Sequence, residues 1–85
     1  MYYVKMTDSF LSGWGPARSK KAVFIYECET IQEAEIVAEN AMHRSDQKDV
    51  RICKYKPRLS SYNNLVQWRT KEQDPEFYIK GYFNK

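Results

Sequence analysis

The stretch Lys21–Met42, "KAVFIYECETIQEAEIVAENAM", decides the fold, because two periodicities meet inside it. Its opening, "KAVFIYE", is a run of β-branched, aromatic and small apolar side chains, which predicts a strand. At Thr30 the pattern changes. "TIQE" has the form of a capping box: the Thr30 hydroxyl accepts from the Glu33 amide while the Glu33 carboxylate returns to the Thr30 amide. Ile31, Ala34, Val37, Ala38, Ala41 and Met42 then share one stripe at helical spacing, predicting a helix that frays near Ser45 and Asp46. Alanines in that stripe let the helix lie close to a sheet. Ile36 falls on the opposite face, where no core role explains it.

Outward from this stretch, "DVRICKYK" (Asp49–Lys56) predicts a further strand, ended by Pro57. Strand, helix, strand is a crossover unit, so its two strands run parallel with a right-handed connection. Upstream, "MYYVKMT" (Met1–Thr7) alternates and is rich in Tyr and Val, predicting a first strand. The simplest sheet places that strand between the other two and antiparallel to both. Downstream, "NLVQWRT" reads as a fourth strand, and "PEFYIKGYF" as a short helix or an aromatic tail folded onto the body. The expected fold is α+β. A β-β-α-β core forms a small, mainly antiparallel sheet of three or four strands, with one helix packed on one face. Residues 1–85 make a single domain, in which 72–85 are an aromatic C-terminal tail packed on the body.

An 85-residue chain buries only about two-thirds of its unfolded surface, so its core is thin. Aromatic residues make up 15% of it, and each ring encloses roughly 150–250 Å² when buried. Such rings either extend the core or stand outside as stacking surfaces. The net charge of +3 hides a separation. From Glu27 to Asp49 seven acids outweigh two bases, whereas Val50 to Lys71 carries six bases and no acid. That asymmetry predicts a polarised surface, one footprint of a polyanion partner. The pI of about 8.9 lies just under the usual mark for nucleic-acid binders. Two cysteines, Cys28 and Cys53, are too few for a disulfide framework. With no long apolar run and no signal-peptide pattern in "MYYVKM", the expectation is a reduced, cytosolic protein with no membrane partner.

Strand parity assigns faces. With Val4, Val23, Ile25, Val50 and Ile52 set against the helix, the other face carries Tyr3, Lys5, Phe24, Tyr26, Arg51 and Tyr55. Rings interleaved with cations are how several small modules hold single-stranded nucleic acid, rings on bases and cations on phosphates. The plainer reading is burial: the rings of 62–83 are enough to cover that face, and binding then moves to basic loops.

The segment "SGWGPARSKK" (Ser12–Lys21) joins the first two strands through a connection too long for a plain hairpin. It is not a phosphate loop, since no Gly-Lys-Ser/Thr ends it, and Arg18 occupies the third glycine position of a dinucleotide fingerprint. Trp14 either plugs its own loop or stands exposed beside Arg18, Lys20 and Lys21. "YKPRLSSYNN" reads as an exposed turn whose cations could meet phosphate. His43 lies four residues after Glu39, the spacing of an exposed ion pair. Cys28 and Cys53 can share a sheet face, yet with one histidine they make no convincing zinc site, and buried free thiols fit better. No metal or cofactor is expected, and no constellation points to an enzyme.

Together "YYVKMTD", "SGWGPA", "YECET", "EAEIVAENA" and "KPR" resemble a family of small proteins of tailed phages that infect gut bacteria, over about residues 2 to 69. The resemblance implies a viral origin and the cytoplasm of an infected bacterial host. It carries no activity and transfers no functional residue.

The leading expectation is therefore a small accessory protein that binds nucleic acid, single-stranded DNA or RNA before duplex. Lys5, Arg18, Lys20, Lys21, Arg51, Lys54, Lys56, Arg58 and Arg69 would neutralise phosphates, and Trp14, Tyr55 and Trp68 would stack. The alternative is an inhibitor or adaptor of a host protein, docking through the acidic helix or the Trp14 loop. A monomer and a homodimer that buries an open sheet face are both compatible with the sequence.

Overall fold

The computed structural model describes residues 1–8, 20–44, 46–60 and 62–83. In chain order the elements are β1 (Tyr2–Asp8), β2 (Lys21–Cys28), α1 (Ile31–Met42), β3 (Gln47–Cys53), β4 (Asn64–Arg69) and a short 3-10 helix (Pro75–Tyr78). The strands form one mixed sheet in the order β3-β1-β2-β4. β1 runs antiparallel to both β2 and β3, as the crossover argument requires, and β4 joins β2 in parallel. The result is an α+β fold with the helix on one side of the sheet.

Thr30 caps α1 in an extended conformation, its hydroxyl accepting from the Glu33 amide at 3.1 Å. The Glu33 carboxylate returns to the Glu29 amide at 3.0 Å, one residue further back than a capping box predicts. The buried stripe is Ala34, Val37, Ala38 and Ala41, with Asn40 as a fully buried polar member. Ile31 and Met42, expected in that stripe, stand exposed at the two ends of the helix, where the sheet no longer reaches them. Ile36 is half-buried and lines a dip together with Gln32, Glu35, Glu39 and Lys80 of the tail.

β3 begins two residues earlier than expected and stops at Cys53, leaving Lys54–Lys56 outside the sheet. Its pairing with β1 slips between Lys5 and Thr7, so that Asp49 and Val50 together oppose Met6. Asp49 takes the left-handed conformation this bulge needs, φ 53°, which Asp tolerates better than most residues. The extra residue turns Val50 toward the core and brings Lys48 and Arg51, three apart, onto the same face.

The parity of β2 is opposite to the expectation. Phe24 pairs with Met6 and Tyr26 with Val4, so both rings face the helix, and Val23 and Ile25 face away. The helix stripe explains the choice. Alanines leave a space that large rings fill, while branched aliphatics suit the thinner cover on the other side. The core so formed joins Val4, Met6, Tyr26 and Cys28 to the α1 stripe and to Phe77 and Tyr78.

The tail after Lys71 therefore packs on the helix side and leaves the other face alone. Asn40 Nδ2 donates to the Phe77 and Ile79 carbonyls, both at 2.8 Å. The Tyr26 hydroxyl donates to Asp74 at 2.9 Å, and the Tyr78 hydroxyl to the Glu27 carbonyl at 2.7 Å. Burial raises the pKa of both phenols. It also pushes the Cys28 thiol up to about 12.

One connection remains, from the end of β3 at one sheet edge to the start of β4 at the other. β2 to β3 crosses in one direction with α1 above the sheet. β3 to β4 crosses back, so a right-handed path must pass beneath, over the face opposite α1. The span is a diagonal of about 25 Å, from strand spacings near 4.8 Å and rises near 3.3 Å, which ten residues cover only when fairly extended. Residues 54–60 and 62–63 belong to this arm. Lys56 Nζ lies 4.9 Å from the centroid of Trp68, a residue of that face.

Candidate nucleic-acid interface

Register places the side chains on the face opposite α1. One row runs Arg51, Lys5, Ile25, Trp68, and the next Lys48, Thr7, Val23, Val66. Lys21 closes the corner beside Asn64. Lys5 and Arg51 are direct cross-strand neighbours, an arrangement of like charges that costs stability on its own. A polyanion laid across them would relieve that repulsion.

The middle of this face is not bare. Val23 and Ile25 are 1% and 0% exposed, so the flat aromatic platform expected there does not exist. Phe24 and Tyr26 belong to the helix side. Tyr3 is half-buried and meets Trp68 edge-on, ring centroids 6.3 Å apart. The accessible rings belong to β4 and the connection before it: Trp68 at 39%, Tyr55 at 77% and Tyr62 at 83% exposure. A homodimer needed to cover an open sheet loses that motive.

The arm adds cations to the rows. Lys54 Nζ sits 6.0 Å from the Tyr55 centroid, Lys56 lies over Trp68, and Arg58 borders β4 together with Lys20. Among the described residues the three ion pairs are Arg44–Asp46, Arg69–Asp74 and Lys71–Glu33, all at the helix and tail. Lys5, Lys21, Arg51, Lys54, Lys56 and Arg58 enter none of them. The exposed acids of α1, Glu35 and Glu39, lie on the other side of the sheet, while Glu27, paired in register with Tyr3, is an acid on the cationic face itself.

Arg69 is the expected site residue that does not belong. It pairs in register with Tyr26 and so faces the helix side, its Nε 3.6 Å from Asp74 and its guanidinium 5.9 Å from the Phe24 centroid. It is a structural cation, holding β4 to the tail. Trp14 and Arg18 lie outside the described residues. Lys48, absent from the expected site, shares its face. Pairing with Thr7 places Lys48, a position that needed the bulge to be known.

Cys28 packs in the helix-side core, and Cys53, paired with Tyr3, faces the other way, so the thiols do not share a face. His43 contacts Glu39 through the backbone, its amide donating to the Glu39 carbonyl at 3.2 Å, and forms no ion pair with it. Among the described residues no cluster of three His, Cys, Asp or Glu is placed to hold a metal, and no helix is long and apolar enough to cross a membrane.

No family model matches this chain, and neither a curated protein nor a solved structure does.

Proposed function

We propose that this chain binds single-stranded nucleic acid along the face opposite α1, with phosphates on Lys5, Lys21, Arg51, Lys54, Lys56 and Arg58 and bases on the marginal rings. One observation carries the reading: these cations lie on the side away from the acidic helix and none is spent on a carboxylate among the described residues. The closed centre of the face fits a strand that tracks along the arm better than a rigid duplex, because the exposed rings Tyr55 and Tyr62 belong to the arm and Trp68 lies against its Lys56. The proposed setting is the cytoplasm of a phage-infected bacterium, in line with the resemblance of the sequence.

Fluorescence anisotropy of a labelled 12-mer across a salt series tests this. Six phosphate contacts give a slope near −4 in log affinity against log salt, or about a 300-fold loss between 50 and 200 mM. A flat response, or no binding at 50 mM salt, overturns the reading.

A second reading has its own observation. Glu35 and Glu39 flank half-buried Ile36 and the tail's Lys80, an acidic surface with an apolar centre of the kind a host protein could engage. Capture of a partner from nuclease-treated lysate, abolished by Ile36→Lys, would favour an adaptor.

A further inference from the structure

Between the arm and β4 lies a groove of about 460 Å³, within the size range of small-ligand sites. Leu59, Val66 and Trp68 supply its apolar walls; Arg58 and Lys20 stand at its rim, and no carboxylate lines it among the described residues. Its base is rigid. The Lys21 amide donates to the Asn63 carbonyl at 3.0 Å, the Asn64 amide to the Ser60 carbonyl at 3.0 Å, and the Asn64 side chain to that same carbonyl at 3.0 Å. The turn from the arm into β4 is thereby tied to β2, and the groove needs little ordering on binding.

Apolar walls, a partly exposed indole and the Arg58 guanidinium at the rim match one chemistry: a planar heterocycle attached to a phosphate. We infer that this groove is a base pocket, which takes one unpaired nucleotide of a bound strand with its base against Trp68 and its phosphate on Arg58. The inference rests on the single-strand reading above and adds to it a defined site. Lys56 occupies the space over the indole at 4.9 Å. An entering base displaces that ammonium onto a neighbouring phosphate, so the cation–π contact is exchanged for a charge-assisted one.

The probes are an oligothymidylate 12-mer and an abasic 12-mer, equal in length and charge, compared at 50 mM salt. A base pocket makes the thymidylate strand bind about tenfold more tightly, in keeping with roughly one base–aromatic stack. Leu59→Ser lowers that ratio severalfold while the abasic affinity stays unchanged, and Trp68→Ala lowers it as far; what remains is stacking on Tyr55 and Tyr62. Leu59 sits on the arm outside the sheet, so its variant reports on the groove even where loss of Trp68 harms folding. Arg58→Gln weakens both strands. Equal binding of the two strands by the unaltered protein overturns the pocket and leaves the basic-face reading standing. Failure of both strands to bind overturns both.

Discussion

Replacing Asn40 by Ala should loosen the whole C-terminal tail. Asn40 is fully buried in the last turn of α1, and its amide is the polar link that holds the tail backbone, through the Phe77 and Ile79 carbonyls. Each lost bond removes about 1 kcal/mol net, and leaving the carbonyls without a partner in an apolar setting raises the total to about 2–4 kcal/mol. For a domain of this size that corresponds to a fall in Tm of roughly 10–25 °C. Circular dichroism melts give the shift, and limited proteolysis after 71 shows whether the tail detaches first. Asn40→Asp sharpens the test. It keeps the shape but points a carboxylate at two carbonyl oxygens, so its folded pKa is raised. Stability is then greatest at low pH, where the acid keeps a donor proton, and declines as pH rises. Because the tail lies on the helix side, oligonucleotide affinity measured well below Tm should not change. A Tm within about 2 °C of the parent, with the tail still protected, would show that ring packing around Phe77 and not the amide link holds this segment.

Ellman's reagent at pH 8 should titrate Cys53 rapidly and Cys28 only after denaturation, since burial raises the Cys28 pKa to about 12; two fast thiols would contradict the core assignment. The same shift implies that the fold loses stability as pH climbs from about 9 toward 12, because the unfolded thiol ionises first. Arg51→Gln should reduce the salt slope of oligonucleotide binding by about one, whereas Arg69→Gln should leave it alone and cost about 1 kcal/mol of stability in urea. The reverse pattern would return Arg69 to the interface. Asp49→Gly should match or exceed the parent's stability, by up to about 1 kcal/mol, and Asp49→Val should lose stability, as a left-handed position demands.

The parts of this molecule readable from sequence are those where one physical requirement acts alone. Thr30 marks the start of α1 because only a few residues cap well, and a crossover through a helix obliges β2 and β3 to be parallel, which leaves β1 the slot between them. The face of β2 was not readable, for a different reason. Ala22, Val23, Ile25, Tyr26 and Cys28 are all buried, so apolarity points to both sides at once. The decision falls to volume matching against Ala34, Ala38 and Ala41, which lie in another element. The same ambiguity hides that Phe24 and Tyr26 pack under the helix, and a distant partner of the same kind, Asp74, takes Arg69 out of the site.

The arm was hidden because its role depends on where β4 docks. "YKPRLSSYNN" has turn chemistry throughout, and nothing local says that it must span the sheet. Once β4 pairs in parallel with β2, handedness sends those residues beneath, and Lys54, Lys56 and Arg58 travel with them to the side already carrying Lys5 and Arg51. Charge separation along the chain becomes charge separation in space only through that crossing. A basic arm passed over the helix side would have met Glu33, Glu35 and Glu39 and been neutralised there. The topology of a parallel edge strand, more than any local motif, is what keeps this cationic surface available.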